Sequence, residues 1–283
     1  MGTMVQTGGD VKKTIIDGVE ASTNESGISV STLPFDFNFS YCDGQAVVLD
    51  NEIHIFGNTN HYKWNGTQWT SVSTLPYRFK YGRAVVYNNE IHLLGGDEST
   101  TNHYKWDGST WTSVSVLPYE LRHGSAVVYN NEIHIMGGDG GSTNHYKWNG
   151  GTQWTSVGTL PLSFWGLTTV YDNELHIMGG YSHGTIHYKW DGTTWTSVST
   201  LPYDSYCGSA VTLDNKIHIL GSYNDNGYKH YNWDGTQWNS VFTLPYQFGK
   251  GSATILNNKI HILGGEYEPR KHYKVPISIL AIY

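Results

Sequence analysis

Residues 83–118 read RAVVYNNEIHLLGGDESTTNHYKWDGSTWTSVSVLP, and this stretch predicts the fold of the chain. Four short runs rich in β-branched and aromatic residues predict four strands. In order, these strands are A (Arg83–Tyr87), B (Glu90–Leu94), C (His103–Trp106) and D (Thr110–Ser115). Asn88-Asn89 joins A to B, and Asp107-Gly108 joins C to D. Both dipeptides tolerate the positive φ angles of two-residue type I′ turns, so we expect two tight hairpins.

The same unit recurs along the chain. The Leu-Pro pair that ends the quoted stretch occurs six times, 41 to 43 residues apart, and its leucines are Leu33, Leu75, Leu117, Leu160, Leu201 and Leu244. A four-stranded unit with apolar residues on both faces buries them by packing against its neighbours around a ring. The sequence therefore predicts an all-β, six-bladed β-propeller with four antiparallel strands in each blade.

The details of the repeat resemble the kelch family. A glycine pair such as Gly95–Gly96 ends strand B in four copies, and a tyrosine precedes a tryptophan by seven positions, as Tyr104 precedes Trp111. The resemblance implies that these tyrosines and tryptophans pack between blades. A weaker similarity, carried by the near-identical repeats and the leader Val11–Gly18, is to uncharacterised kelch proteins of Firmicutes and their phages.

The ends of the chain predict how the ring closes. We assign residues 28–275 to the propeller, 1–27 to a leader that is either partly disordered or an attachment segment, and 276–283 to an apolar tail. The last copy lacks its second tryptophan, whereas residues 28–34 repeat the end of strand D of the other copies. We therefore expect the N-terminal strand to complete the last blade. The alternative is that residues 277–282 of the tail complete it.

The composition and charge of the chain narrow the classes of partner that we expect it to bind. The net charge is −7 with 17 Lys and Arg and no basic cluster, so nucleic acid is not an expected partner. Neither a Sec signal peptide nor an apolar run of about 18 residues is visible, which predicts a cytoplasmic or virion-associated protein without membrane insertion. The two cysteines, Cys42 and Cys207, are expected to be free thiols.

The connections between strands predict where a ligand binds. The A–B and C–D turns are nearly uniform, whereas the D–A and B–C connections on the opposite face vary between copies. The D–A connections lead into the innermost strand and should ring the mouth of the central channel. Their candidate ligand-binding residues are Arg78, Tyr81, Arg122, His123, Trp165, Asp204, Tyr206 and Lys250. Aromatic rings beside such donors suit a sugar or a peptide, although the same rings could simply pack the bases of the loops.

These observations favour a non-enzymatic propeller whose D–A/B–C loop face binds carbohydrate or a cell-surface glycopolymer, for example as a phage tail or baseplate adhesin. The alternatives are a cytoplasmic protein–protein interaction scaffold, a glycan-processing enzyme, and a designed or consensus repeat scaffold. We find no catalytic set and expect no cofactor. The sequence does not predict the oligomeric state.

Histidines at repeat positions form a pattern that suggests a metal. Twelve of the 14 histidines form two rings, one on strand B (His54, His92, His134, His176, His218, His261) and one at the start of strand C (His61, His103, His145, His187, His230, His272). Sixfold symmetry keeps equivalent residues apart unless they line the axis. We therefore interpret them as packed and hydrogen-bonded between blades and expect no metal site.

Overall fold

The structure, a computed structural model, describes residues 12–16, 19–23, 27–37, 45–96, 101–181, 183–224 and 226–275. Six antiparallel sheets follow one another along the chain. The innermost strand of each sheet contacts the innermost strand of the next, and the last contacts the first, so the sheets form a closed ring. The predicted six-bladed propeller is confirmed.

The strands fall into six blades, preceded by one short hairpin. Two short strands, β1 (Lys12–Ile16) and β2 (Val19–Thr23), pair with each other ahead of β3 (Ile28–Thr32). Blade I holds β4 (Gln45–Leu49), β5 (Glu52–Trp64) and β6 (Trp69–Phe79). Blade II holds β7 (Arg83–Tyr87), β8 (Glu90–Leu94), β9 (Asn102–Trp106) and β10 (Trp111–Val116). Blade III holds β11 (Ser125–Tyr129), β12 (Glu132–Met136), β13 (Asn144–Trp148) and β14 (Thr155–Thr159).

Blade IV holds β15 (Leu167–Tyr171), β16 (Glu174–Met178), β17 (Ile186–Trp190) and β18 (Trp195–Thr200). Blade V holds β19 (Ser209–Leu213), β20 (Lys216–Leu220), β21 (Lys229–Trp233) and β22 (Trp238–Thr243). Blade VI holds β23 (Ser252–Leu256), β24 (Lys259–Leu263) and β25 (Lys271–Val275), and β3 is its fourth strand.

Strand β5 of blade I contains the counterparts of strands B and C. Nδ1 of His54 lies 2.8 Å from Nε2 of His61, as the equivalent histidines of two separate strands do in the other blades. Nζ of Lys63 likewise lies 2.7 Å from Oε2 of Glu52. The chain therefore turns back on itself within β5, where Asn58 has a φ of 53°, and blade I also has four strand segments.

The N-terminal strand closes the ring, as predicted. Strand β3 pairs antiparallel with β25, with Thr32 opposite Lys271 and Ile28 opposite Lys274. Residues 276–283, which the alternative required, lie outside the described residues. The division into leader, propeller and tail remains a prediction.

The A–B and C–D turns differ in structure, and the prediction of a two-residue C–D turn is wrong. In the A–B turns both central residues have positive φ, 50° and 60° at Asn88 and Asn89, as type I′ requires. The C–D connection of blade II is four residues long, because Trp106 pairs with Trp111. Oδ1 of Asp107 accepts hydrogen bonds from the backbone N–H groups of Ser109 and Thr110, each at 2.8 Å. This Asx turn, rather than a two-residue hairpin, explains the Asp-Gly dipeptide.

The hydrophobic core lies between the blades. Six buried clusters each join two neighbouring blades. Trp111 of blade II shows the geometry, since its ring lies edge-on to the rings of Phe56 and His61 of blade I at 6.1 and 5.5 Å. This confirms that the repeat tryptophans pack between blades. Each blade therefore buries apolar side chains against both of its neighbours.

The two histidine rings form six buried pairs. In every blade, Nδ1 of the strand B histidine lies 2.7–2.8 Å from Nε2 of the strand C histidine. In blade II the contact continues outward, because Nδ1 of His103 lies 2.8 Å from Oγ of Ser115, which accepts a hydrogen bond from Nε1 of Trp154 in blade III at 3.1 Å. The histidines thus bond within a blade, and in blades I, II, IV and VI a serine joins them to the next blade.

The prediction of two free thiols is wrong. Cys207 is disulfide-bonded. The chain has one other cysteine, Cys42, which lies outside the described residues.

Candidate functional site

The D–A connections meet around the mouth of the channel. Tyr81, His123, Cys207 and Lys250 each precede the glycine that leads into strand A, and all four have φ between 57° and 65°. Non-glycine residues adopt this conformation only when their surroundings hold it. In this ring the N–H of His123 donates to the carbonyl of Tyr81 at 3.0 Å, and that of Lys250 donates to the carbonyl of Cys207 at 2.9 Å. Successive connections are therefore fixed to one another.

Aromatic side chains at this face of the propeller contact one another in succession. The ring centroids of Tyr81 and His123 are 4.5 Å apart, and His123 stacks on Trp165 at 4.2 Å with an interplanar angle of 18°. Trp165 in turn stacks on Tyr181, at 5.2 Å and 25°. Tyr206 lies edge-on to Tyr181 at 5.4 Å and to Tyr223 at 6.1 Å. We call these six residues the aromatic arc: Tyr81, His123, Trp165, Tyr181, Tyr206 and Tyr223.

A cation lies near each end of the aromatic arc. Cζ of Arg122 lies 4.7 Å from the centre of the Tyr81 ring, and its Nε lies 3.4 Å from Oδ2 of Asp139. At the other end, Nζ of Lys250 lies 3.7 Å from the centre of the Tyr223 ring and 3.1 Å from Oε2 of Glu266. Cation–π contacts of this kind hold rings in place.

His123 connects the arc to a carboxylate. It is 4% exposed, and its Nδ1 lies 2.7 Å from Oδ1 of Asp139. Burial lowers the pKa of His123 below its usual value, although the hydrogen bond with Asp139 opposes this. A neutral imidazole that donates from Nδ1 to Asp139 fits both observations.

Two cavities open beside these residues. One, of about 240 Å³, lies between blades III and IV and is lined by Asp139, Ser163, Trp165, Tyr181, His183 and the backbone of several glycines. The other, of about 170 Å³, is the mouth of the channel. Its lining includes Arg83, which is 9% exposed and donates to the carbonyls of Gly82 and His123 at 2.9 and 3.2 Å.

The structure brings six of the eight candidate residues together: Tyr81, Arg122, His123, Trp165, Tyr206 and Lys250. The other two are Arg78 and Asp204. Arg78 is exposed, with its Nε 3.5 Å from Oδ1 of Asn58, and Oδ1 of Asp204 accepts from the N–H of Tyr206 at 3.0 Å. That any of the eight binds a ligand remains a prediction.

Sequence reasoning left four residues out of the candidate set: Arg83, Asp139, Tyr181 and Tyr223. Arg83 could have been identified from the sequence, since the other copies begin strand A with an uncharged residue. The other three lie in B–C connections, whose contacts with the D–A connections depend on the fold.

The site has no metal centre among the described residues. Within these ranges, no three His, Cys, Asp or Glu side chains come together as ligands for a metal ion. In the same part of the chain, no helix is long and apolar enough to cross a bilayer, and the single helical segment is a 3₁₀ turn, Asp139–Gly141.

The six sheets form a β-propeller, and the aromatic arc lies on its D–A/B–C loop face at one end of the channel. The chain belongs to the DUF6242 beta propeller domain family, and the match covers residues 58–207, more than half of its length. The search of curated proteins finds no match.

Solved structures share the fold widely, with 402 matching chains, so the fold alone does not identify a ligand. One of them is described as "Structure of YjhT". It matches with a TM-score of 0.72 and 14% identity, over 86% of this chain and 95% of that chain. At this identity the likeness shows the fold alone. The finer kelch assignment remains a prediction.

Proposed function

We propose that this protein is a non-enzymatic propeller that binds carbohydrate, such as a cell-surface glycopolymer, on its D–A/B–C loop face. One observation carries the proposal: the cavity between blades III and IV has an aromatic wall and polar groups together. Tyr181 is 64% exposed at this cavity, beside the Asp139 carboxylate and the Ser163 hydroxyl. A sugar presents C–H faces to an aromatic ring and hydroxyl groups to such hydrogen-bonding partners.

The composition of the cavity favours binding over hydrolysis. Glycoside hydrolysis uses two carboxyl groups on either side of the scissile bond. Among the lining residues, Asp139 is the one carboxylate, and it is already engaged by Arg122 and His123. As an adhesin on a phage tail, which the leader sequence suggests, the protein would turn this face toward a host glycopolymer.

A second candidate, a protein–protein interaction scaffold, is favoured by exposed tyrosines on the rim. Tyr223, Tyr228 and Tyr267 are 36%, 47% and 58% exposed and lie in the B–C connections of blades V and VI. Tyrosine is enriched at protein interfaces because one end of its ring is polar.

A glycan array with wild type, Tyr181→Ala and Tyr267→Ala separates the two candidates. Tyr267 is the matched control, since it is a tyrosine of similar exposure in the same connection of another blade. We expect wild type and Tyr267→Ala to bind the same glycans and Tyr181→Ala to bind about tenfold more weakly in calorimetry, equivalent to about 1.4 kcal/mol. An empty array, or equal binding by Tyr181→Ala, would contradict carbohydrate recognition at this cavity.

Trp165 is less suitable for this test. It stacks against both the buried His123 and Tyr181, so its removal would disturb packing as well as any ligand.

A further inference from the structure

The aromatic arc continues beyond the cavity, and this continuation indicates the size of the ligand. From Trp165 through Tyr181 and Tyr206 to Tyr223, successive ring centroids are 5.2, 5.4 and 6.1 Å apart. The cavity lining includes Trp165 and Tyr181 but neither Tyr206 nor Tyr223. A ligand confined to the cavity would leave Tyr223 uncovered.

The loop that carries Tyr223 is held against the loop that carries Tyr206. The N–H of Tyr223 donates to the carbonyl of Tyr206 at 2.7 Å, and Oγ of Ser222 donates to the same carbonyl at 3.0 Å. Both hydrogen bonds anchor the B–C loop that carries Tyr223 to the D–A connection that carries Tyr206. The position of Tyr223 is therefore set by the backbone and does not depend on a ligand.

Lys250 fixes the ring of Tyr223 itself. Its side chain is only 14% exposed, its Nζ lies 3.7 Å from the centre of the ring, and Glu266 pairs with it at 3.1 Å. Binding to a ring that is already held costs less side-chain entropy than binding to a mobile one. By contrast, Tyr228, in the same rim loop, has no ring partner among the aromatic contacts of the described residues and is 47% exposed.

We propose that the ligand is an oligosaccharide of at least two linked sugars, one in the cavity between blades III and IV and the next against Tyr206 and Tyr223. This inference rests on the proposed carbohydrate-binding function and adds a second subsite to it. Tyr206 is half-buried and Tyr223 is 36% exposed, so both rings are accessible. The two rings meet edge-on and form a corner beside the cavity.

The test compares chain lengths with defined probes. Wild type, Tyr223→Ala and Tyr228→Ala are titrated calorimetrically with linear oligomers of glucose, mannose, galactose and N-acetylglucosamine, from one to six units. For the sugar that binds, we expect the Kd to fall about tenfold or more between the monomer and the trimer and then to level off. Tyr223→Ala should lose this gain while keeping the monomer affinity, and Tyr228→Ala should behave as wild type.

The outcomes separate the two proposals. If the monomer binds as tightly as the hexamer and Tyr223→Ala changes nothing, the second subsite is overturned and the first stands. If no sugar of any length binds wild type, both are overturned. Thermal melting of each variant shows whether it is folded, and Tyr223→Leu, which keeps apolar volume without an aromatic face, repeats the test if Tyr223→Ala is unstable.

Discussion

Nε1 of Trp69 donates a hydrogen bond to Oγ of Ser31 at 3.0 Å, across the seam where the first blade meets the last. Ser31 belongs to β3, and its Oγ also lies 2.8 Å from Nδ1 of His272 in β25. One serine therefore ties the N-terminal strand both to its own blade and to the next. The seam is built like three other boundaries between blades, where Trp111, Trp154 and Trp238 donate to a serine of the preceding blade, although no peptide bond links β25 to β3.

Deletion of residues 1–32 should unfold the ring, because it removes β3 and exposes the edge of β25. An unpaired edge with a hydrophobic face promotes aggregation. We expect this variant to be insoluble or to lose its cooperative melting transition. Deletion of residues 1–26, which retains β3, is the control and should melt within a few degrees of wild type. A deletion of 1–32 that melts like wild type would show that another segment completes blade VI.

Much of this architecture is predictable from local sequence. Strands β7 and β8 have the predicted bounds. Strand β9 begins one residue earlier than predicted, and β10 begins and ends one residue later. The C–D turn was predicted wrongly because Asp107-Gly108 is compatible with both loop lengths. The deciding feature, the Asp107 carboxylate accepting from Ser109 and Thr110, is a side-chain contact that a dipeptide pattern does not contain.

Ser115→Ala should destabilise the boundary between blades II and III. The substitution removes the hydroxyl between His103 and Trp154 and leaves two buried polar atoms without their hydrogen bonds. Such a loss costs about 1–3 kcal/mol in the free energy of unfolding, measurable by urea denaturation. The matched control is Ser113→Ala, which is exposed on the same strand and should change stability by less than about 0.5 kcal/mol. Equal effects of the two substitutions would show that the serine contact is not stabilising.

Stability should fall steeply in weak acid. Burial lowers the pKa of the strand B histidines, such as His92, from 6.5 to about 4, and that of most strand C histidines, such as His103, to about 3. Below pH 6.5 the unfolded chain therefore takes up protons that the folded chain does not. The contribution of the histidines to the free energy of unfolding is therefore fully present above this pH and decreases as the pH falls toward 4.

The expected slope is large. If one histidine of each of the six pairs contributes about 1.4 kcal/mol per pH unit, six together contribute about 8 kcal/mol per unit, which is comparable with the whole stability of a typical domain. We expect cooperative unfolding between about pH 6 and 4, which tryptophan fluorescence can monitor. A pH-stat should show that the protein takes up several protons during this transition. A melting temperature at pH 4.5 equal to that at pH 7 would contradict the buried, neutral histidine pairs.

The candidate site is only partly predictable for a physical reason. Tyr81, His123 and Trp165 lie in equivalent connections of successive blades, so the repeat alone indicates that they are neighbours. Tyr181 contacts Trp165, and Tyr223 contacts Tyr206, from a different set of loops, the B–C connections. These contacts depend on the conformation of each B–C connection, which the repeat does not specify. The histidine pairs show the same limit: His54 and His61 are seven residues apart, and His218 and His230 are twelve. Only the strand register, in which the two histidines of a pair are diagonal neighbours, brings them into contact.

The pairing of β3 with β25 also affects how the protein is made. Ser31 and His272 are separated by 241 residues, which take about 10 to 50 s to synthesise at about 5–20 residues per second. Strand β3 must therefore wait for a partner strand that is translated more than 200 residues after it. During that interval the nascent chain can stack its finished sheets in order, but the ring remains open, with an unpaired edge at each end. The contact that closes the ring forms only after β25 has been synthesised.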